Sequence, residues 1–268
     1  MQHTQQIISD RKKFFYAWFK AMNTRVDLAF FVESNRDDLL QIASEIETEI
    51  SKYEKMTNRF NPESELSYVN ENNFGKAVKV SPELCNILAD CLQFNSDSLG
   101  YFDITVNSFN ACGDKKNVFI IHTENNTVEF TKTNVRLDLS GFIKGYTLKK
   151  IMDIVEYKCI DNALINIGNS SIFAKGNHPH GEGWKIRVPA NGLECTLLNQ
   201  CLTTSGNSVA TKWPIINPLN GTIEKTKKPV SVITKDPAVG ELLSKVAFLA
   251  PENELNIIFA KFDGRIIN

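Results

Sequence analysis

The 268-residue sequence has no Cys-x-x-Cys pair among its six cysteines, and it contains only four histidines. Zinc knuckles and thioredoxin-type redox sites depend on such closely spaced cysteines, so neither kind of site is predicted. His178 and His180 flank a proline, but two histidines without a nearby cysteine or carboxylate are a weak metal signal. The sequence therefore gives no strong indication of a transition-metal site.

Long basic runs and long apolar runs are also missing. The formal net charge is −1, and the densest basic segments are residues 11–13 and 225–228, so nucleic acid is not an expected partner. No stretch approaches about 18 apolar residues, and residues 1–10 lack the basic and apolar segments of a secretory signal. We expect a soluble, cytoplasmic protein that does not insert into a membrane.

Helices and hairpin-forming strands are interspersed along the chain. Helices are predicted at 36–56, from Ser81-Pro82 to about Ser96, at 141–155 and at 240–249. Because the hairpins exclude a simple parallel repeat, we predict an α+β fold and a single domain over residues 1–268. The predicted strands are 25–33, 118–122, 127–130, 135–139, 163–167, 171–174, 184–188, 195–203 and 230–234.

Two glycine-containing segments have a composition that suits contact with a phosphate. Residues 138–145 place Asp138 at a strand end, glycines in a tight turn and Lys144 at the start of a helix, so that the backbone can approach a phosphate closely. The same residues also suit an ordinary strand-to-helix turn, and residues 167–171 suit a simple bend after a strand. Neither segment alone identifies a reaction.

Seven segments in a fixed order give a more specific signal than any one of them. They are residues 21–24, 56–70, 100–105, 138–146, 163–168, 203–206 and 215–221. They resemble, among others, the Met-Gly-Thr, Ser-Glu-Leu-Ser, Gly-Ala-Phe-Asp-Pro-Thr and Asp-Leu-Gly-Gly-Ile-Ala-Lys-Gly-Tyr patterns of the ApbE family. The sequence is therefore identified as a divergent member of this family of FAD:protein FMN transferases.

The resemblance implies both a fold and an activity. The fold would be ApbE-like (T-fold-like), with mixed sheets, packed helices and two intimately joined lobes around a flavin groove. The activity would be cleavage of FAD, with Mg²⁺ at the pyrophosphate, and transfer of FMN to a Thr or Ser of a partner flavoprotein. AMP would be released.

The resemblance also implies a set of site residues. An aromatic ring offers a stacking surface to the flavin or the adenine, and a lysine offers charge to phosphate. Core packing is the alternative interpretation for each aromatic residue. The implied cofactor-binding residues are Met22, Phe60, Tyr101, Phe102, Asp103, Asp138, Lys144 and Ile215, and the implied metal ligands are the Gly141 carbonyl and Glu241.

The sequence departs from the family pattern where chemistry is expected. Pro214 replaces the histidine credited with proton transfer, and losing a positioned general base typically costs about 10² to 10⁴ in rate. The Asp and Thr of the family's metal-binding segment are replaced by Glu241 and Lys245, and a charged lysine has no lone pair to offer a metal. We hypothesise that Lys245 replaces the metal as counter-charge; the alternative is a solvated i,i+4 pair with Glu241.

Three functions stay open on the sequence alone. The first is a working Mg²⁺-dependent transferase in which another group or water replaces the histidine. The second is a catalytically degenerate FAD-binding or regulatory relative. The third is a scaffold that no longer takes flavin and acts through protein contacts, because a fold can persist while its function changes.

Overall fold

Three sheets and six α-helices organise the described residues of the computed structural model, which are 1–72, 75–108, 118–206, 215–224 and 228–267. The strands are β1 (Gln2–Ser9), β2 (Lys12–Ala21), β3 (Thr24–Glu33), β4 (Val78–Lys79), β5 (Phe119–His122), β6 (Thr127–Phe130), β7 (Ala163–Ile167), β8 (Ser171–Lys175), β9 (Trp184–Arg187), β10 (Glu194–Leu197), β11 (Gln200–Ser205), β12 (Val230–Thr234) and β13 (Gly264–Ile267). The helices are α1 (Leu39–Thr57), α2 (Glu65–Asn72), α3 (Pro82–Asp97), α4 (Ile143–Tyr157), α5 (Pro237–Leu249) and α6 (Glu252–Phe259).

The largest sheet has eight strands in the order β1-β2-β3-β7-β8-β11-β12-β13, and each neighbouring pair runs antiparallel. A smaller sheet has the order β4-β6-β5, and β9 pairs with β10. Antiparallel sheets with interspersed helices confirm the predicted α+β class. No helix in these described ranges is both long and apolar enough to span a bilayer.

The first hairpin was not predicted as two strands, although β2 carries a period-2 signal. Phe15, Ala17 and Phe19 are buried and alternate with more exposed residues, as in a half-buried strand. Met22 and Asn23 have φ of 50° and 56°, the left-handed pair of a tight hairpin turn, and asparagine tolerates this conformation well. Every residue of β1 is exposed, so no apolar alternation marks that strand.

Two hydrophobic cores hold the helices against the sheets. One core joins β2, β3 and β7 to α1 and α4. A second core joins α3, α5 and the small sheet, and Phe142 lies fully buried within it. On the other face of the large sheet, Trp184 and Leu197 of the β9–β10 hairpin cover Ile172 and Leu202. Helix α4 packs on α1 and on α5, and so connects the two cores.

The predicted strand at 135–139 is wrong. This segment is extended, but its backbone groups bond to side chains and to a loop instead of to a neighbouring strand. Leu137 donates its N–H to Asn70 Oδ1 at 2.7 Å, and Asp138 donates its N–H to the Ile104 carbonyl at 2.7 Å. The Asn70 amide in turn donates to the Leu137 carbonyl at 3.0 Å. These partners satisfy the backbone without a sheet.

The single β segment predicted at 195–203 is divided into two strands. β10 pairs with β9 in the two-stranded sheet, whereas β11 lies between β8 and β12 in the large sheet. The change of sheet occurs at a turn in which Asn199 has φ of 53°, and asparagine is one of the few residues that adopts this conformation easily. The helix predicted to begin after Ser81 is confirmed, and Ser81 Oγ accepts the Leu84 N–H at 3.2 Å.

Candidate functional site

Two cavities meet where Arg59 pairs with Asp138, and together we call them the groove. Cavities of about 420 Å³ and about 200 Å³ are both lined by Arg59, Asp138 and Ser140. Arg59 Nε lies 3.1 Å from Asp138 Oδ2. The larger cavity lies between residues 101–107, 138–142 and 215–223 and helix α5. A ligand longer than either cavity therefore has a continuous surface to follow.

All eight residues predicted to bind the cofactor line the groove. The larger cavity is lined by Tyr101, Phe102, Asp103 and Ile215, together with Gly141; the smaller cavity is lined by Met22, Phe60 and Lys144; and Asp138 lines both. Glu241, the remaining predicted residue, is buried directly behind this surface and contacts Lys245, which does line the larger cavity.

Several lining residues were not predicted. They are Arg59, Asn107, Ser140, Ile216, Pro218, Ile223 and Leu249. Arg59 had a usable signal, because it is a cation next to the predicted aromatic Phe60 within the recognised segment 56–70. The sequence carries no signal for Asn107, since its role depends on a contact with Asp138, 31 positions away in the sequence.

Asp138 is held in one orientation by two hydrogen bonds and an ion pair. Ser140 donates its backbone N–H to Oδ1 at 2.9 Å, and Asn107 Nδ2 donates to Oδ2 at 2.5 Å. Arg59 approaches the same Oδ2. A carboxylate fixed in this way presents a defined acceptor at the junction of the two cavities.

The turn after α3 positions Tyr101, Phe102 and Asp103. Leu99 and Gly100 have φ of 54° and 84°, and this left-handed pair reverses the chain. Asn95 Nδ2 donates to the Phe102 carbonyl at 2.7 Å, and Ser98 Oγ accepts the Phe102 N–H at 3.0 Å. These bonds fix the turn against the end of α3.

The aromatic residues of the groove differ in how far they belong to the core. Tyr101 and Phe102 are only 6% and 4% exposed, and the Phe102 ring lies 5.7 Å from that of Phe142, so core packing describes them well although both line the cavity. Phe60 is 58% exposed, and the Arg59 guanidinium lies 4.3 Å from its ring centroid. Phe60 is thus the aromatic surface open to a ligand.

Helices α4 and α5 approach each other closely at Gly145. A Cβ atom at Gly145 would lie 2.3 Å from the Pro237 carbonyl oxygen and 2.5 Å from Glu241 Cγ. One turn away, a Cβ atom at Gly141 would lie 2.8 Å from Lys245 Cε. These contacts bring the first helical turn of α4 and the segment before it against α5, and they place Lys245 beside the Gly141 backbone.

Glu241 and Lys245 form the i,i+4 ion pair considered above, but this pair is largely shielded from solvent and not a solvated one. Lys245 Nζ lies 2.8 Å from Glu241 Oε2 and also donates to the Glu241 carbonyl at 3.2 Å. The Lys245 side chain is 16% exposed and the Glu241 side chain is 8% exposed. Ser171 Oγ of β8 donates to Glu241 Oε1 at 2.7 Å. Burial lowers the pKa of the nearby Lys144; the charge of Glu241 opposes this shift, and that of Lys245 adds to it.

The donor set at Gly141 and Glu241 does not fit a divalent cation. One Glu241 oxygen accepts from Ser171 and the other is paired with an ammonium group, while the Lys245 stem covers Gly141. Mg²⁺ needs near-octahedral oxygen donors at about 2.0–2.1 Å and no neighbouring cation. Among the described residues there is no group of three or more His, Cys, Asp or Glu side chains suited to a metal.

Residues 215–223, which follow Pro214, cover part of the larger cavity. Pro214 itself lies outside the described residues. Ile216 pairs with Ile223, and the Asn217 N–H donates to the Thr222 carbonyl at 2.7 Å, which closes a short hairpin. Asn217 Oδ1 accepts the Leu219 N–H at 2.9 Å, and Asn220 Oδ1 accepts the Thr222 N–H at 3.0 Å. Both asparagines therefore stabilise the turn.

Comparisons with known proteins agree on one family. The sequence profile of the ApbE family matches residues 22–266. The FAD:protein FMN transferase of Chlamydia muridarum (strain MoPn / Nigg) is 27% identical over 243 residues, 76% of this chain and 74% of that protein. The apo crystal structure of the Pseudomonas stutzeri flavinyl transferase ApbE superimposes with a TM-score of 0.82 at 16% identity, covering 96% and 91% of the two chains. The flavin transferase ApbE of Vibrio cholerae gives 0.78 at 16% identity, covering 96% and 97%.

Proposed function

The chain belongs to the ApbE family, and we propose that it binds FAD in the groove and transfers FMN to a Thr or Ser of an acceptor flavoprotein. One observation carries this proposal: residues from five separate segments, recognised by their residue patterns and their order in the sequence, line the same groove. They come from the β2–β3 turn, the residues after α1, the turn after α3, the start of α4 and the hairpin after residue 214.

The groove has the chemistry that a dinucleotide requires. Phe60 presents an exposed ring at one end, and ring stacking contributes on the order of 1 kcal/mol. Lys245 lines the larger cavity and Lys144 lines the smaller one, and both offer positive charge to a pyrophosphate. Asp138 offers an acceptor to hydroxyl or amide donors of the ligand.

In the proposed transfer, the hydroxyl oxygen of the acceptor attacks the phosphorus of the FMN half of FAD. The phosphorus–oxygen bond to AMP breaks, AMP leaves with the electron pair, and the hydroxyl proton passes to solvent water. The contribution of this chain is to hold the dinucleotide in line and to neutralise its phosphate charge. No step in this scheme is assigned to a metal ion, because the donor set at Glu241 does not suit one.

A second candidate function is FAD binding without transfer, and one observation favours it. Pro214 stands where the family pattern has a histidine, and proline cannot exchange a proton. The groove would then hold FAD as a permanent ligand or as a signal.

The test is a transfer assay read by intact mass. The protein is incubated with FAD and an acceptor flavoprotein fragment, with and without Mg²⁺, and we expect the acceptor to gain the mass of one FMN. FAD binding without a mass gain would favour the second candidate, particularly if Pro214→His gains activity. Absence of FAD binding under both conditions would contradict both candidates and leave a scaffold.

A further inference from the structure

We propose that the ammonium group of Lys245 is the resident cation of the pyrophosphate subsite and takes the place of a divalent metal. This inference rests on the proposed binding of FAD in the groove. Lys245 lines the larger cavity together with Ser140 and Gly141, next to the junction at Asp138. The chain would thus bind the dinucleotide with a covalently attached charge and without a metal ion.

The ammonium group is held rigidly before any ligand arrives. The Lys245 stem packs on Gly141, where a Cβ atom would come within 2.8 Å of Cε. Nζ is fixed by Glu241 Oε2 at 2.8 Å and by the Glu241 carbonyl at 3.2 Å. Glu241 is itself fixed by Ser171 from β8. A lysine that is already ordered loses little side-chain entropy when it binds a phosphate.

The hydrogen-bond capacity of Lys245 leaves room for a ligand. A lysine ammonium has three donors and no acceptor. Within the described residues, Glu241 accounts for two of them through one carboxylate oxygen and one carbonyl oxygen. The third donor is available on the side of the cavity, where a phosphate oxygen would make a charge-assisted hydrogen bond.

The ammonium group next to Glu241 disfavours a divalent cation at that position. Lys144 and Lys245 each place a positive charge near Glu241, and Glu241 supplies one negative charge. The Arg59–Asp138 pair adds one charge of each sign, and the carboxylates of Asp103 and Glu54 also line the groove. A divalent ion at Glu241 would lie beside the ammonium of Lys245 and be repelled, whereas a phosphate oxygen would be attracted by the same ammonium group.

The test compares two ligands, with and without Mg²⁺. Metal-stripped protein is titrated with FAD and with riboflavin, which has the flavin but no phosphate, and flavin fluorescence reports binding. For the wild type we expect the Kd for FAD in EDTA and in Mg²⁺ to agree within about twofold. Lys245→Met is expected to weaken FAD binding by about tenfold or more and to change riboflavin binding by less than about twofold.

Two further variants keep the result independent of folding. Glu241→Gln/Lys245→Met removes both charges, keeps the acceptor for Ser171, and is expected to lose FAD affinity like the single variant. Lys235→Met removes a surface lysine whose pair with Asp263 has the same 2.8 Å separation, and should bind FAD as the wild type does. Thermal unfolding of each variant verifies that the fold is retained.

Three outcomes would overturn the inference. The first is wild-type FAD binding that is lost in EDTA and restored by Mg²⁺. The second is a folded Glu241→Gln/Lys245→Met protein that binds FAD as tightly as the wild type. In both cases FAD binding, and with it the proposed function, survives. The third is a wild type that binds FAD under neither condition, which overturns the proposed function as well.

Discussion

Two lysine–carboxylate pairs with the same 2.8 Å separation lie in contrasting regions of the molecule. Lys245 and Glu241 lie against the groove with their side chains 16% and 8% exposed, whereas Lys235 and Asp263 lie on the surface at 77% and 76%. Water solvates the surface pair in its paired and unpaired states alike, so its contribution to stability is small. Removal of one partner of the groove pair leaves a buried charge without compensation.

The contrast shows that the surroundings of a residue, and not its type or its nearest distance, set its contribution. Two other residues, one lining the groove and one at the helix contact behind it, have a comparable counterpart elsewhere in the molecule. Gly145 at the α4–α5 contact corresponds to Gly181 in an open turn, and Phe60 at the groove corresponds to Tyr157 at the end of α4. Each matched pair gives a prediction that tests the contrast directly.

The largest difference is expected between Lys245→Met and Lys235→Met. Methionine preserves most of the lysine stem, so the substitution removes mainly the charge. Lys245→Met should lower the free energy of unfolding by about 3 kcal/mol, because Glu241 keeps a buried charge whose remaining hydrogen bond among the described residues is that from Ser171. Lys235→Met should leave the urea midpoint essentially unchanged. Equal midpoints for the two variants would show that the groove pair is as well solvated as the surface pair.

The next largest difference is expected between Gly145→Ala and Gly181→Ala. Alanine favours a helix over glycine by about 1 kcal/mol, but at Gly145 its Cβ would lie 2.3 Å from a backbone oxygen of α5. We expect a net loss of about 1–3 kcal/mol, because backbone atoms must move apart. A Cβ atom added at Gly181 would have no described atom beyond its chain neighbours within 4 Å. The free energy of unfolding should therefore change by no more than about 0.5 kcal/mol. Thermal unfolding measures both, and a stabilised Gly145→Ala would disprove the close approach.

The helices and strands that the sequence predicts correctly are those with local signals. Ser81 and Pro82 begin α3 through a cap and a fixed φ that involve only the next few residues. The strand predicted at 135–139 is wrong because a local pattern shows only that the segment is extended. Its hydrogen-bond partners, Asn70 and Ile104, lie far away in the sequence. Strand β1 is not predicted for another reason. All of its residues are exposed, so the sequence shows no apolar alternation, and the strand forms by pairing with β2.

The candidate site shows the same division. The eight predicted cofactor-binding residues, all of which line the groove, could be named from the patterns and order of short segments. The burial of the Glu241–Lys245 pair could not be predicted, because the i,i+4 spacing is the same for a solvated pair and a buried one. Burial here depends on Gly145 admitting α5 and on Ser171 of β8, which are contacts between distant parts of the chain.

A smaller difference is expected between Phe60→Ala and Tyr157→Ala in the binding of FAD. Both rings are exposed, at 58% and 83%, and both have a cation near the ring, Arg59 at 4.3 Å and Lys158 at 5.9 Å. Loss of a stacking surface at Phe60 should weaken FAD binding by about 1 kcal/mol, about fivefold in Kd. Tyr157→Ala should bind FAD like the wild type in the same fluorescence titration. Equal effects would place the ligand away from Phe60.

The smallest effect is expected from two lysines of the same helix, Lys144 and Lys149, whose environments shift the pKa in opposite directions. Burial lowers the pKa of Lys144. Burial acts in the same direction on Lys149, but its hydrogen bond to Asp236 at 2.6 Å and nearby carboxylates outweigh it and raise the pKa. Without FAD, the protonated Lys144 therefore opposes folding below its folded-state pKa, whereas the protonated Lys149 favours it.

We expect Lys144→Met to raise the stability of the FAD-free protein near pH 7 by less than about 1 kcal/mol, and Lys149→Met to lower it slightly. Since Lys144 loses its proton more readily in the folded state, wild-type stability should gain on that of Lys144→Met as the pH rises from neutral towards the pKa of an ordinary lysine. Urea unfolding at neutral and alkaline pH measures this change. FAD supplies the missing negative charge, so the same substitution should weaken FAD binding, and a variant that is both less stable and tighter in binding would contradict the role of Lys144 as a cation held for phosphate.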